Sequence, residues 1–462
     1  MTDFDLVVIG GGPGGYVASI RSAQAGKKTA LIERDSLGGV CLNWGCIPTK
    51  ALLRNAEIIG NLFKGDLFGF EAEKIEPDYE KAYVRSRRVS AKMAEGVKYL
   101  LAKNQVTVFS DEARFIGPRE ILLCRAKQKI RAKNVVIATG ASSAHLPFLD
   151  YGELNVLDSR KALQRTSAPQ SVIIVGAGAV GMEFATIFSA YGTKVSVIEM
   201  MEHILPTESQ ILSDVIEKEY RGKRQVDFYT GTRITAVKND GVTVTAALER
   251  GGKDFSLSAE CILTAAGIRP NSSGLNLSSL DVRTDERGFI PVDENMRTSV
   301  KNVYAIGDVT GKLALAHVAS AQGILAVDHI CGKPVSPIEY DNIPRCTYTE
   351  PEVASAGLDE NAAASRGYDV GAAIFPQSAN GKSIAYGESA GVVKLVYDKK
   401  FGQLLGAHMC GVHVTEMIGG MVGYLGMEMT VDEMKRVVYP HPTASEGILE
   451  AAHIASGEAL HI

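Results

Sequence analysis

Asp5-Leu6-Val7-Val8-Ile9-Gly10-Gly11-Gly12-Pro13-Gly14-Gly15 decides the fold, because its design returns at Ser171-Val172-Ile173-Ile174-Val175-Gly176-Ala177-Gly178-Ala179-Val180-Gly181. Each copy reads as a buried strand, a G-x-G-x-x-G-type turn and a small-residue helix, then a second strand ending in an acid, Glu33 in the first and Glu199 in the second. Gly10 permits the tight turn, Gly12 lets the backbone approach a pyrophosphate, and Gly15 lets the helix pack closely on the strand. The helix start adds unpaired N–H groups and a partial positive charge, and the acid suits ribose hydroxyls. Gly176, Gly178 and Gly181 repeat this pattern, so two dinucleotide sites are predicted on one chain. Glu199 is followed by Met200, Met201, Glu202 and His203. A ribose 2′-phosphate there would meet a carboxylate and no cation, which favours NAD over NADP.

Outward from the two turns, short apolar runs alternate with amphipathic stretches, the pattern of parallel-sheet α/β domains. Val135-Val136-Ile137-Ala138-Thr139-Gly140 is read as the close of the first nucleotide lobe, and Ile262-Leu263-Thr264-Ala265-Ala266-Gly267 as the close of an inserted second lobe. Val303-Tyr304-Ala305-Ile306-Gly307-Asp308 returns the chain to the first. From about Asp341 the texture changes to strand-like runs such as Val392–Tyr397 and then to helices, a separate α+β domain. The predicted boundaries are 1–146 with 269–340, 147–268, and 341–462.

Composition narrows the function classes. The 462 residues are 45% hydrophobic and 22% charged, with a formal net charge of −4. That is a soluble globular profile with no electrostatic case for nucleic acid or an anionic membrane. No run approaches the roughly 20 apolar residues of a membrane-spanning helix. The start of the chain lacks a secretory pattern, so a cytoplasmic protein is expected. Seven cysteines, mostly scattered, do not make a secreted disulfide framework.

Only Cys41 and Cys46 lie close together, in Gly38-Gly39-Val40-Cys41-Leu42-Asn43-Trp44-Gly45-Cys46-Ile47-Pro48-Thr49-Lys50. A core pair and half of a metal site are alternatives to redox chemistry. A four-thiolate zinc site would want tighter spacing and a second cluster, so no metal is predicted. Residues five apart on an ideal helix stand about 7.5 Å apart along its axis, beyond comfortable disulfide reach. Cys41 is therefore predicted to precede the helix or to sit in a distorted first turn, and a helix N-terminus is expected to lower a thiolate pKa. Lys50 follows Cys46 by one helical turn and faces the same way. Near the other end, Tyr439-Pro440-His441-Pro442-Thr443-Ala444-Ser445-Glu446 supplies a base suited to neutral pH in His441 and a carboxylate, Glu446, able to orient it.

With these segments in view, the whole chain resembles the pyridine nucleotide-disulfide oxidoreductases, and the cysteine segment is similar to that of the lipoamide-using branch. The resemblance implies that the first lobe holds FAD, the inserted lobe holds NAD, and the last domain forms a homodimer. It implies FAD contacts at Gly10, Gly12, Gly15, Glu33, Gly39, Lys50, Ala113, Thr139, Gly140, Asp308 and Ala316. For NAD it implies Gly176, Gly178, Val180, Gly181, Glu199, Ile234 and Gly267, with Glu183 as partner of Lys50. His441 and Glu446 are implied to reach the dithiol of the partner subunit. The activity implied is oxidation of dihydrolipoamide, carried on lipoyl domains of 2-oxoacid dehydrogenase or glycine cleavage complexes, with transfer to NAD. A glutathione- or mercuric-reductase-like enzyme is the alternative within the family, and a non-catalytic subunit of a multienzyme complex is the alternative outside it.

Overall fold

The computed structural model describes residues 2–462 apart from 72 and 118. It divides into two compact units. The first comprises the N-terminal segment through Ala51, then Lys81–Ala144 and Gly267–Ile338. The second comprises Leu52–Glu80, His145–Ala266 and Glu339–Ile462.

In the first unit, β1 (Thr2–Ile9), α1 (Pro13–Gln24) and β2 (Thr29–Glu33) form the expected strand–turn–helix–strand unit. β1 lies parallel between β2 and the strand Gln128–Ile137, with Ile9 opposite both Ile32 and Ile137. Thr107–Ser110 extends the sheet beyond β2, and Val303–Ala305 adds parallel to Gln128–Ile137, so the chain returns to this lobe as predicted. β1 is an apolar run because Leu6, Val7 and Val8 are all buried, as a central parallel strand with both faces covered requires. An antiparallel hairpin, Ala113–Gly117 and Glu120–Leu123, completes the sheet.

The second unit repeats the parallel arrangement. Ser171–Val175 lies between Lys194–Ile198 and Cys261–Thr264, and the helix Ala179–Ala190 follows its glycine turn. The correspondence extends to single bonds: Gly10 N donates to Ile32 O at 2.8 Å, and Gly176 N donates to Ile198 O at 2.8 Å. An antiparallel three-stranded sheet, Thr232–Asn239, Val244–Arg250 and Lys253–Ala259, belongs to the same unit. So does the α+β portion near the C-terminus. There an antiparallel sheet in the order Arg345–Thr347, Glu352–Gly357, Leu404–Gly411, Val392–Asp398, Val370–Pro376 packs its apolar face on the helices Val414–Gly426 and Glu446–Ala455. Among the described residues no helix is long and apolar enough to cross a membrane.

Candidate active site

The first glycine turn is shaped by close backbone approach. Gly10 has φ +108°, a left-side conformation that favours glycine, and a Cβ on Gly15 would collide with the Gly10 carbonyl. Gly12 ends the turn as the N-cap of α1, with no side chain capping the helix. A Cβ on Gly39 would stand 2.7 Å from the Gly12 Cα, so two bare backbones face each other at the helix start. The Glu33 carboxylate accepts from Gly11 N at 2.6 Å and from Asp35 N at 2.7 Å. Each of its oxygens keeps a further lone pair for a ligand hydroxyl.

The rest of the first-lobe set lies in the same unit. The Thr139 hydroxyl is buried without a hydrogen-bond partner among the described residues. A buried, unpaired hydroxyl is costly, and a cofactor atom would satisfy it. The Thr139 carbonyl accepts from Asn271 Nδ2 at 3.0 Å, and a side chain at Gly140 would point into open space. Burial pushes the Asp308 carboxyl up, its own backbone N–H working the other way; a ligand hydroxyl would give it a partner. Ala316 begins the helix Ala316–Ile330, which has no side-chain cap. Ala113 differs in kind: its methyl group is buried in the core opposite Leu123, so any part toward a nucleotide falls to its backbone. The residues present therefore fit a dinucleotide.

The cysteine segment follows the same turn. α2 (Gly39–Trp44) carries Cys41, Gly45 breaks the chain with φ −148° and ψ −115°, and α3 (Cys46–Leu62) begins on Cys46. No continuous helix runs through both cysteines, as their spacing predicted, although Cys41 sits inside a short helix of its own. The break is held on both sides. Asn43 Nδ2 donates to Leu37 O and Gly39 O at 3.0 and 2.9 Å. The Gly45 carbonyl accepts from Thr49 N at 3.1 Å and Thr49 Oγ1 at 2.7 Å.

Cys41 and Cys46 are present as thiols and interact directly. The Cys46 side chain and burial push the Cys41 thiol up, against a smaller pull downward from Lys50. The lowered thiolate pKa expected from a helix N-terminus is therefore not found at Cys41. Two thiols sharing one site cannot both ionise readily, and Cys41 is not at the start of the helix that carries Cys46. Cys41, Cys46 and Lys50 are together, as the spacing implied.

In the second unit the Glu199 carboxylate accepts from Ala177 N at 2.8 Å and Met201 N at 2.9 Å, the same pair of backbone bonds that Glu33 makes. Gly176 has φ +101°, and a Cβ on Gly181 would strike the Gly176 carbonyl. Gly178 is the N-cap of the following helix, with Val180 exposed on its first turn. Ile234 is half-buried against the core that includes Ile173 and Ile198. Gly267, at φ +104°, accepts Ala144 N at 2.9 Å and falls within the first unit. Glu183 is buried, and its carboxylate accepts from Tyr348 N at 3.2 Å.

The C-terminal pair is also formed. His441 Nδ1 lies 2.9 Å from Glu446 Oε1, and Thr443 N donates to Glu446 Oε2 at 2.7 Å. Burial works to raise the Glu446 carboxyl, but the Thr443 N–H and His441 outweigh it and hold it below the usual carboxylate range. The His441 side chain is 79% exposed, so Glu446 of the same chain orients the imidazole while most of the ring stays open.

Sequence comparison decides the family. The family model described as pyridine nucleotide-disulphide oxidoreductase matches residues 4–323, and that of the family's dimerisation domain matches 343–452. The chain belongs to the pyridine nucleotide-disulphide oxidoreductase family. Relatives include dihydrolipoyl dehydrogenases from Zymomonas mobilis, 42% identical over 99% of both chains, and from Bacillus subtilis, 41% identical over 100% of this chain and 99% of the other. Among solved structures, LpdA from Mycobacterium tuberculosis matches with a TM-score of 0.89 at 25% identity, covering 98% of this chain and 99% of that one. The HOCl-induced flavoprotein disulfide reductase RclA from Escherichia coli matches with a TM-score of 0.88 at 25% identity, over 97% and 99%. Membership makes the protein an oxidoreductase whose C-terminal domain is of the dimerisation type. Two residues that shape the site escaped the sequence reading. Gly45 and Thr49 make the break between the cysteines; a glycine just before Cys46 was the available signal.

Proposed function

We propose that the protein is a homodimeric, FAD-dependent dihydrolipoamide dehydrogenase that reduces NAD. The observation that carries this reading is the pair of interacting thiols at Cys41 and Cys46, split by the Gly45 break in the unit that holds the first dinucleotide turn. Full-length relatives named dihydrolipoyl dehydrogenase support the substrate. In this reading 1–146 and 269–340 bind FAD, 147–268 bind NAD, and 341–462 join two copies. Gly10, Gly12, Gly15 and Gly39 cradle a pyrophosphate, Glu33 takes a ribose, and Thr139, Gly140, Asp308, Ala316 and the Ala113 backbone line the rest. Gly176, Gly178, Val180, Gly181 and Glu199 hold NAD, with Ile234 and Gly267 beside it. Lys50, whose charge acts on Cys41, is paired with the buried Glu183.

Bound FAD supplies a two-electron relay between the dithiol and NAD. The chain's own residues do the proton and sulfur chemistry. His441 of one copy takes a proton from a substrate thiol, and Glu446 stabilises the imidazolium. The resulting thiolate attacks Cys41 of the other copy, which breaks the Cys41–Cys46 bond and leaves Cys46 as thiolate. The second substrate thiol attacks the mixed disulfide, releasing the cyclic disulfide product and Cys41 as thiol. Cys46 keeps the negative charge because it begins a helix, while Cys41 holds its proton. The substrate is proposed to arrive on lipoyl domains of 2-oxoacid dehydrogenase or glycine cleavage complexes. The cytoplasm, where thiols are kept reduced, is the proposed location.

Steady-state assays test the reading. Dihydrolipoamide with NAD should turn over at least about a thousandfold better than glutathione disulfide with NADPH, the scale on which a site built for one substrate's polar groups rejects another's. Comparable rates with the second pair would overturn it. The same assay tests Glu199. Glu199→Ser should lower kcat/KM for NAD by about ten- to a hundredfold, the weight of a charge-assisted hydrogen bond to the ribose. An unchanged value would remove Glu199 from the site.

A further inference from the structure

The helix Tyr79–Lys103 carries Arg87, whose guanidinium ends against the cysteine segment. Its Nη1 donates to the Asn43 carbonyl at 2.7 Å. The guanidinium carbon stands 5.6 Å from the centre of the Trp44 ring and 5.9 Å from that of Tyr83, within range of cation–π attraction. Asn43 and Trp44 are the last two residues of α2, directly before the Gly45 break. The final carbonyls of a helix lack intrahelical partners, and a cation is favoured beside them. Arg87 supplies both donor and charge at this helix end, as Thr49 does the donating for Gly45 on the other side of the break.

This placement is not the stable choice for packing. Nη2 is buried without a hydrogen-bond partner among the described residues, which is costly. Burial also pulls the Arg87 guanidinium below its ordinary range, a smaller effect of Tyr83 opposing it. An apolar side chain against Trp44 would avoid both penalties. The cost falls where the chain must keep two cysteines facing each other across a broken helix. We infer that Arg87 is a positioning residue for the redox pair, fixing the end of α2 so that Cys41 stays against Cys46 as their bond forms and breaks. The inference rests on the proposed dithiol chemistry.

Arg87→Met and Arg87→Lys, made in the full-length FAD-loaded protein, test it. Three quantities are read: dihydrolipoamide–NAD turnover, NADH oxidation by ferricyanide (which bypasses the dithiol), and alkylation of reduced Cys41 and Cys46 by iodoacetamide, followed by peptide mass. Arg87→Met should lose about ten- to a hundredfold in lipoamide turnover, the weight of a hydrogen bond from a charged donor. Ferricyanide reduction should stay within about twofold, since the route from NADH through FAD to ferricyanide does not pass through the cysteines. Alkylation of the cysteines should change about tenfold, because reactivity follows thiolate character and access. Arg87→Lys should recover part of the loss, keeping charge and donor but not the planar fork.

Wild-type turnover and alkylation in Arg87→Met would overturn the inference. So would a parallel loss of both activities with loss of bound FAD, which would make Arg87 a residue of the fold alone. Wild-type protein without dihydrolipoamide turnover would instead defeat the proposed function, and the alkylation rates would still report on Arg87.

Discussion

Replacing Cys46 by serine should abolish dihydrolipoamide oxidation, by at least about 10⁴-fold, the scale on which loss of a covalent participant acts. A serine oxygen cannot form the bond that Cys41 and Cys46 exchange with substrate, nor carry the electron pair as a thiolate. FAD should remain bound, because Gly10, Gly12, Gly15, Gly39 and Glu33 are untouched and the backbone at the Gly45 break is held by Thr49 and Asn43. NADH oxidation by ferricyanide should therefore persist while lipoamide turnover vanishes. Cys41→Ser should be equally inactive with lipoamide, since Cys41 receives the substrate thiolate. Full lipoamide activity in either variant would defeat the scheme, and absorbance spectra of the purified proteins check the FAD content.

His441→Gln should reduce the same turnover by about 10²- to 10⁴-fold, the usual weight of a positioned acid–base group. The amide matches the imidazole in reach but cannot take a proton from a substrate thiol. Glu446→Gln should cost less, because His441 would keep its place through the loop and lose only the partner charge 2.9 Å away. The pH dependence has a definite sign. The Glu446 carboxyl is held below the usual range in the folded protein, so its contribution to stability is full above the unfolded value of about 4.3. That contribution is lost only as pH falls through the lower folded value. Glu446 thus stays ionised through the neutral range, and its support of His441 is lost only in acid, below the usual carboxylate range. A larger loss of turnover in Glu446→Gln than in His441→Gln would reverse these roles.

Much of this was legible from local pattern. The glycine turns, the acids closing their second strands and the return of the chain at Val303 are repeated short-range signals, and the backbone follows them bond for bond. For a pair that forms a disulfide, the cysteine spacing argued against a regular helix through both residues. Two things were not legible. The form of the Gly45 break was one: the glycine disfavours helix and marks the place, but several distortions were open and the hydrogen bonds of Thr49 and Asn43 select one. Arg87 depends on a helix more than 40 residues away meeting the end of α2, a long-range contact that no local periodicity encodes. At Ala113 the side chain lies in the core, which leaves only its backbone for the expected nucleotide contact.

In the proposed enzyme a dithiol and a histidine–glutamate pair from different copies make one site, which mixed dimers of Cys46→Ser and His441→Gln put to the test. Each parent homodimer is inactive with dihydrolipoamide. If His441 acts across the dimer, a hybrid keeps one complete site, with Cys46 from one subunit and His441 from the other. Subunits separated, mixed equally and reassociated at random should then regain about a quarter of wild-type specific activity, since half the dimers are hybrids with one working site of two. Activity that stays at the level of the inactive parents, with hybrid formation verified, would place the histidine and the dithiol in the same subunit and contradict the account.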